Sequence, residues 1–388
     1  MPARPVYLDY NATTPCDPEV VKAMLPFFSE NFGNASSRDH AYGWSADEAV
    51  AFSRKKVAGL VGGNTSDMFF TSGATEALNL ALKSLMTSRK KHIITSPLEH
   101  EAVLNTCAYL QGEGLRVSYL NVDEDGNHDL EELENNIRPD TAAIVMMYAN
   151  NETGNINPVA AIGRIAEKRG IPLICDATQA VGKIRVDVVK DHIDCLVFSS
   201  HKIYGPKGVG VLYMNKEFRK GMIPLIHGGQ HEKGIRSGTL NVPGIVGFGK
   251  AAALAARYMD EEARRLEALR TILEQKLCAL GGVRVNGNLQ NRLPHVSNMG
   301  ITGIEGENFV LSLAMDLAVS RGSACSGNVH SPSHVLRAMG RTPEEAGNSI
   351  RISLGRFTTE QEVIFAAETI AGRIRNRREK QLQGQPEV

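Results

Sequence analysis

Short apolar runs alternate with polar clusters and helical segments between about residues 65 and 215 of the chain. Segments with helical spacing, such as residues 76–85, 101–111 and 162–169, separate several of these runs. Because strands that are buried on both faces read as continuous apolar runs, this alternation predicts an α/β fold with a mostly parallel seven-stranded sheet. The pattern does not give the order of the strands. The predicted strands are residues 68–70, 92–94, 117–120, 143–148, 172–175, 195–198 and 209–213.

A different pattern begins near residue 244. Residues 247–280, rich in Ala, Leu, Arg and Glu, predict one long helix. Short strands and helices follow, which indicates a second, smaller α+β domain. We therefore predict a large domain of residues 15–260, a small domain of residues 1–14 and 261–375, and a flexible tail of residues 376–388. The predicted strands of the small domain are 283–285, 296–299 and 350–353, and its helices are 307–315, 333–339 and 360–373.

Polar clusters directly follow five of the apolar runs in the first region. In open α/β sheets, ligands bind outside the carboxyl ends of the strands, so these clusters are expected to converge on one site. They are Thr71-Ser72-Gly73-Ala74-Thr75-Glu76, Pro97-Leu98-Glu99-His100, Asn150-Asn151-Glu152-Thr153-Gly154, Asp176-Ala177-Thr178-Gln179 and Ser199-Ser200-His201-Lys202.

Composition narrows the class of protein. The chain has 43 Lys and Arg against 43 Asp and Glu, so it lacks the basic excess of a nucleic-acid or anionic-membrane binder. Its longest apolar run, residues 142–149, is far shorter than the roughly 20 residues that cross a bilayer. No signal peptide is visible, and the six cysteines form no C-x-x-C pair that would indicate a metal site or a disulfide framework. We expect a soluble, cytoplasmic protein with reduced thiols.

Lys202 and Asp176 are the first candidates for chemistry. A lysine at a strand end can form a Schiff base, although a lone lysine is far more often an exposed loop residue. A carboxylate after a buried strand, such as Asp176, can pair with a protonated pyridine nitrogen or can cap the next helix. Gln179, one turn further on, is a candidate donor to a hydroxyl on such a ring.

Two further clusters supply a phosphate site and a stacking ring. Ser72-Gly73-Ala74-Thr75-Glu76 reads as a turn that opens a helix, where free N–H groups and the helix dipole bind phosphate, or simply as a capped helix start. His100 can lie flat on an aromatic ring, although a lone histidine is more often an ordinary surface or core residue. Lysine, carboxylate, phosphate cradle and stacking ring together indicate pyridoxal 5′-phosphate.

Cys325 and Arg351 are candidates for the substrate side of the site. Cys325 lies among glycines and serines, in a segment that reads as a mobile loop, which distinguishes it from the other five cysteines. Near a pyridoxal site such a thiolate suggests attack on the sulfur of a substrate, although an unreactive thiol is the alternative. Arg351 can clamp a carboxylate bidentately or form an interdomain salt bridge.

Eight segments, in order from residue 8 to 356, resemble the motifs of NifS/IscS-type cysteine desulfurases. They are Leu8-Asp9-Tyr10-Asn11-Ala12-Thr13-Thr14-Pro15, Thr71-Ser72-Gly73-Ala74-Thr75-Glu76, Asn150-Asn151-Glu152, Asp176-Ala177-Thr178-Gln179, His201-Lys202-Ile203-Tyr204-Gly205-Pro206-Lys207-Gly208, Arg236-Ser237-Gly238-Thr239, Gly322-Ser323-Ala324-Cys325 and Arg351-Ile352-Ser353-Leu354-Gly355-Arg356.

The resemblance implies the fold-type I architecture of class V aminotransferases, with pyridoxal phosphate bound in a homodimer whose active sites lie at the interface. It implies conversion of L-cysteine to L-alanine, with the sulfur held as a persulfide and passed to an iron–sulfur scaffold protein of the IscU/NifU kind or to another acceptor. The resemblance also implies a role for each site residue. Lys202 would form the Schiff base with the cofactor, Asp176 would pair with its ring nitrogen, Gln179 would bond its ring hydroxyl and His100 would stack on its ring. The cofactor phosphate would be held by Ala74, Thr75, Ser199, His201 and the neighbouring protomer's Thr239. Asn151 (also a cofactor contact) and Arg351 would bind the substrate carboxylate, and Cys325 would carry the persulfide.

Some segments depart from the family pattern, and other functions stay open. Residues 228–234 and Gly33-Asn34-Ala35 differ from the family motifs, and the chain after Arg375 bears little resemblance to the family's scaffold-docking end. The spacing from Cys325 to Pro332 resembles that of the family members in which the loop carrying the cysteine is long, and not that of the short-loop SufS-like members. The rivals are a selenocysteine lyase, another class V aminotransferase and a non-catalytic sulfur-relay module. Cys325 as a ligand of an iron–sulfur cluster also stays open.

Overall fold

The computed structural model describes residues 4–304, 306–322 and 332–382 of the chain. The strands in these ranges are β1 Val6–Tyr7, β2 Met68–Thr71, β3 His92–Thr95, β4 Arg116–Tyr119, β5 Thr141–Met147, β6 Leu173–Asp176, β7 Cys195–Ser199, β8 Gly210–Met214, β9 Val283–Asn286, β10 Val296–Ile301, β11 Leu317–Ala318 and β12 Ser349–Ser353. The α-helices there are α1 Pro18–Met24, α2 Pro26–Ser29, α3 Ala41–Leu60, α4 Ala74–Ser84, α5 Glu101–Gly112, α6 Leu130–Asn136, α7 Val159–Lys168, α8 Lys216–Arg219, α9 Val242–Cys278, α10 Gly306–Leu313, α11 His334–Ala338, α12 Pro343–Gly347 and α13 Glu360–Leu382.

Seven strands form one large sheet in the order β2-β8-β7-β6-β5-β3-β4. Neighbouring strands from β7 to β4 pair in parallel, and β8 pairs antiparallel with β7 and β2. Each corresponds to one of the seven apolar runs, so the predicted mostly parallel sheet is confirmed. Every residue of β5, β6 and β7 is buried, which explains why these strands read as continuous apolar runs.

Helices cover the large sheet on both faces. Alternate residues of β5 point to opposite faces: Ile144 and Met146 pack in one hydrophobic cluster, and Val145 packs in another. The first cluster includes apolar residues of α3, α7 and the first half of α9, and the second includes those of α4 and α5. The sheet is therefore a central layer that presents the carboxyl ends of its parallel strands at one edge.

The remaining strands form two small sheets next to the large one. β12, β10 and β9 make an antiparallel sheet, and β1 pairs in parallel with β11. Their apolar residues, with those of α13 and the second half of α9, form a separate cluster that includes Leu273, Phe309 and Ile370. These separate clusters support the proposed division into a large domain of residues 15–260 and a small domain of residues 1–14 and 261–375.

The chain end differs from the sequence-based expectation. A flexible tail is predicted for residues 376–388, whereas α13 continues to Leu382. Arg378 donates hydrogen bonds to the carbonyl oxygens of Leu280 and Gly281, which ties this part of the helix to the end of α9. Residues 376–382 of the predicted tail are therefore helical, and residues 383–388 lie outside the described residues.

Candidate active site

A cavity of about 390 Å³ lies at the carboxyl edge of the large sheet. The five polar clusters contribute to its wall because parallel strands end at the same edge. Ten of the predicted site residues line it, namely Ala74, Thr75, His100, Asn151, Asp176, Gln179, Ser199, His201, Lys202 and Arg351.

Lys202 lies in a short 3₁₀ turn, Ser200–Lys202, directly after β7. Its Nζ donates to the carbonyl oxygens of Asn11 and Ala12, at 2.5 and 2.7 Å. These carbonyls belong to the chain between β1 and α1, so the N-terminal segment fixes the position of the lysine amine. The cavity is therefore lined by a primary amine whose position is fixed by two hydrogen bonds.

Asn11 joins several site residues and was not singled out from the sequence. Its carbonyl oxygen accepts from Gln179 Nε2 as well as from Lys202, and its side-chain Nδ2 donates to the carbonyl of Asn151. Its Oδ1 contacts Nε2 of the buried His295 at 2.8 Å. The match of residues 8–15 to a family motif was a signal for Asn11, but the sequence does not show which residues it contacts.

Asp176 ends β6, and its side chain accepts from the backbone N–H of Thr178 at 2.9 Å. Gln179 Oε1 accepts from Nζ of Lys183, a second amine that the sequence reasoning missed. Burial and the positive charges of Lys202 and Arg351 hold the pKa of Lys183 well below the usual value for lysine. Because Lys183 donates to Gln179 Oε1, it fixes the orientation of the Gln179 amide.

The N-terminus of α4 opens into the same cavity. Its N-cap is Gly73, which offers no side chain to bond the first N–H groups of the helix. Strand β8 approaches closely, since a Cβ added at Gly210 would lie 2.6 Å from Gly73 Cα. Together with the positive end of the helix dipole, these free N–H groups form a site that suits a phosphate.

Two histidines flank this end of the cavity. His201 Nδ1 lies 3.1 Å from Thr13 Oγ1, and burial together with the positive charge of Lys202 lowers the pKa of His201 to about 4. His201 is therefore neutral at neutral pH. His100 caps α5, where its Nδ1 accepts from Ala102 N at 3.0 Å, and its ring lines the cavity.

Glu99, which precedes His100, is a further residue that sequence reasoning did not assign. Its Oε1 accepts from the backbone N–H of Met147 at the end of β5. Complete burial, with the negative charge of Asp176 nearby, holds the pKa of Glu99 well above its usual value. Glu99 is thus a buried carboxyl group directly behind His100 and Met147, which line the cavity.

Arg351 reaches the cavity from β12 of the small domain. The guanidinium donates to Asp9 Oδ1 at 2.7 Å and to the carbonyl oxygen of Asn151 at 3.0 Å, while its buried Nε has no hydrogen-bond partner among the described residues. Arg351 and Asn151 are thereby adjacent.

Two predicted site residues are not among the cavity residues. Thr239 is exposed and lies outside the lining; Arg236, three residues earlier, is tied to Glu76 of α4 by an ion pair of 2.9 Å. Cys325 lies outside the described residues. The roles assigned to all these residues stay proposals.

The other five cysteines all lie in the described part of the chain. Burial raises the pKa of each of these thiols, that of Cys107 to about 12. They are therefore protonated at neutral pH and poor nucleophiles. Within the described ranges no group of three His, Cys, Asp or Glu side chains could hold a metal ion, and no helix is long and apolar enough to cross a membrane.

Comparison with known proteins identifies the family of the chain. Residues 6–364 match the aminotransferase class-V family. The cysteine desulfurase IscS of Anaeromyxobacter dehalogenans (strain 2CP-C) is 46% identical over 379 residues, which cover 97% of this chain and 94% of the relative. The chain therefore belongs to the class-V aminotransferase family, and the predicted resemblance to NifS/IscS-type proteins is confirmed.

Solved structures show the same likeness. A NifS-like protein superimposes with a TM-score of 0.88 at 40% identity, covering 95% of this chain and 98% of that one. The structure of SspA in complex with cysteine has a TM-score of 0.81 at 35% identity and covers 91% of this chain and all of that one. The predicted fold-type I architecture is thereby confirmed.

Proposed function

We propose that the chain is a pyridoxal-phosphate-dependent cysteine desulfurase, which converts L-cysteine to L-alanine and retains the sulfur on Cys325. One observation carries the proposal: a single cavity brings together an amine (Lys202), a carboxylate (Asp176), a histidine ring (His100) and an open helix N-terminus. The likeness to curated cysteine desulfurases over nearly the whole chain selects this activity among those of the family.

The residues present fit pyridoxal phosphate. The uncapped start of α4, with Ala74, Thr75, Ser199 and His201, suits the phosphate, because backbone N–H groups there have no side-chain partner. Asp176 suits the ring nitrogen, Gln179 the ring hydroxyl and His100 the ring face, and Lys202 would hold the cofactor covalently. When bound, pyridoxal phosphate supplies an electron sink that stabilises negative charge at the α-carbon of an amino acid.

The protein groups around the cavity then do the remaining work. Once the substrate amine has replaced it on the cofactor, Lys202 Nζ would take the α-proton of the substrate and return a proton, since the carbonyl oxygens of Asn11 and Ala12 fix this amine at the cavity wall. Arg351 and Asn151 orient the substrate carboxylate. Asn11 and Lys183 hold Lys202 and Gln179 in place through the hydrogen bonds described above.

Cys325 receives the sulfur. Its thiolate forms a new S–S bond to the substrate sulfur, the carbon–sulfur bond breaks, and the three-carbon product leaves as alanine after protonation. The raised pKa values of the five described cysteines support this assignment, because none of those thiols is an effective nucleophile.

We further propose a homodimer, in which the partner's Thr239 completes the phosphate site. Exposed aromatic residues support it: Phe28 and Phe32 are each 63% exposed, Trp44 is 59% exposed, and Phe32 and Tyr42 pack together at 5.3 Å. Exposed aromatic side chains are common at protein interfaces. An iron–sulfur scaffold protein as sulfur acceptor and a cytoplasmic location stay predictions.

The substitution Cys325→Ala tests the proposal, with Cys278→Ala as the matched control at the exposed Cys278. We expect Cys325→Ala to bind pyridoxal phosphate normally but to form neither alanine nor persulfide from L-cysteine, whereas Cys278→Ala retains both. Alanine formation by Cys325→Ala at the wild-type rate would contradict the assignment. Formation of alanine by the wild-type protein from L-selenocysteine but not from L-cysteine would favour a selenocysteine lyase.

A further inference from the structure

Glu152, in the loop after β5, is a buried carboxyl group for which the proposed mechanism has no use. Its side chain is fully buried, and its backbone is fixed by hydrogen bonds from Glu152 N to Asn150 Oδ1 and from Asn298 Nδ2 to Glu152 O. It directly follows Asn151, whose carbonyl accepts from Arg351. A buried carboxyl group needs hydrogen-bond partners, so its contacts indicate its role.

One partner of Glu152 lies at the start of α11. Ser333 Oγ donates to Glu152 Oε2 at 2.5 Å and accepts from the backbone N–H of Leu336, as the N-cap of that helix. The next residue, His334, contacts the carbonyl oxygen of Glu99 through its Nε2 at 3.0 Å. The chain that follows residue 331 is therefore bound to the large domain beside the cavity.

The chain that precedes residue 323 reaches the same carboxyl group. Ser320 exchanges two backbone hydrogen bonds with Arg351, which places Gly322 beside Glu152. A Cβ added at Gly322 would lie 3.1 Å from Glu152 Oε2 and 3.6 Å from Ser333 Cβ. Glu152, Gly322 and Ser333 therefore meet at one point.

We propose that Glu152 is a positioning residue that holds together the two chain segments, Ser320–Gly322 and Pro332–Ser333, from which the Cys325 segment extends. Nine residues separate Gly322 from Pro332 in the sequence, and Cys325 is the third of them. Fixing both ends beside the cavity raises the effective concentration of the thiol there. The inference rests on the proposed function, because it gives Glu152 a role only if Cys325 accepts sulfur.

The test compares Glu152→Ala, Ser333→Ala and the double variant with wild type. The first readout is the rate at which trypsin cleaves after Arg321. The second is the rate of persulfide formation on Cys325 after mixing with L-cysteine, measured by mass spectrometry, together with the L-cysteine concentration that gives half the maximal rate. Glu232→Ala is the matched control, because Glu232 is a buried carboxylate bonded to Arg54 instead.

We expect Glu152→Ala and Ser333→Ala each to be cleaved about tenfold faster than wild type and to form persulfide about tenfold more slowly. The L-cysteine concentration that gives half the maximal rate should change by less than about threefold. The double variant should be no worse than the more impaired single variant, because both substitutions remove the same hydrogen bond. Glu152→Gln, which keeps an acceptor oxygen, should stay within about threefold of wild type. Glu232→Ala should change neither rate by more than that.

Additive losses in the double variant, or wild-type rates in both single variants, would overturn the inference. If Glu152→Ala fails to fold, Ser333→Ala and Ser333→Asp decide together, because both remove the bond to Glu152 while aspartate can still cap α11. A wild-type protein that forms no persulfide would instead refute the proposed function, while the tryptic comparison would still show whether Glu152 holds the two segments.

Discussion

The glycine at position 210 allows a direct test of the phosphate site. Gly210 lies in β8 against the turn that starts α4, and an added Cβ would lie 2.6 Å from Gly73 Cα and 3.1 Å from Ala74 N. Both atoms belong to the backbone, so Gly210→Ala must displace the helix start by about 0.8 Å to restore an ordinary contact of 3.4 Å. Overpacking of this kind costs about 1–3 kcal/mol. We therefore expect the affinity for pyridoxal phosphate to fall about 5- to 150-fold.

The assay is titration of the apoprotein with pyridoxal phosphate, followed by the absorption of the bound cofactor. Gly300→Ala is the matched control, because Gly300 also lies in a strand, β10, but an added Cβ would meet nothing closer than 3.4 Å. This control should bind the cofactor as wild type does. Wild-type affinity in Gly210→Ala would refute the placement of the phosphate at α4, and an equal loss in Gly300→Ala would show a general effect of the methyl group.

Three further predictions follow from the contacts. Arg351→Lys should raise KM for L-cysteine about tenfold or more with a smaller change in kcat, because lysine cannot bind a carboxylate bidentately. Arg284→Lys, on β9 at the far edge of the same sheet, should leave the steady-state kinetics unchanged. Burial and the positive charge of Arg138 lower the pKa of His92 to about 4, so the unfolded chain binds a proton at His92 before the folded chain does. The thermal stability of the apoprotein should therefore fall as the pH is lowered from 6.5 to 4, and His92 should contribute up to about 1.4 kcal/mol per pH unit to this fall. The contribution should be absent in His92→Asn. An unchanged pH dependence of stability in that variant would contradict the prediction. Phe32→Asp should weaken the proposed homodimer, as measured by sedimentation velocity. Leu289 is also exposed, at 61%, but is not one of the aromatic residues named above, so Leu289→Asp should leave the dimer unchanged. A monomeric wild-type protein would refute the dimer.

The elements of the fold were predictable because burial on both faces leaves a clear mark in the sequence. β5 and β7 read as uninterrupted apolar runs, and both are buried at every residue. The strand order was not predictable, since pairing such as that of β8 with both β7 and β2 depends on contacts between distant segments. The helical end at Leu382 was missed for a related reason: Arg378 holds it through carbonyl oxygens about a hundred residues away in the sequence.

The site was predictable where polar residues directly follow strands. Asp176 and Lys202 line one cavity for this reason. Asn11 acts through a hydrogen bond to Lys202, and Lys183 acts through one to Gln179; contacts of this kind leave no local pattern in the sequence. Glu152 belongs to the Asn150-Asn151-Glu152 motif, but its contact with Ser333 joins positions 181 residues apart.

The central claim is tested most directly by incubating the purified protein with L-cysteine, pyridoxal phosphate and a thiol reductant, and by measuring alanine and sulfide together. The proposed desulfurase should release the two products in equal amounts, because each turnover breaks one carbon–sulfur bond and the reductant frees the sulfur from Cys325. A protein that binds pyridoxal phosphate but yields neither product from L-cysteine would contradict the proposed activity.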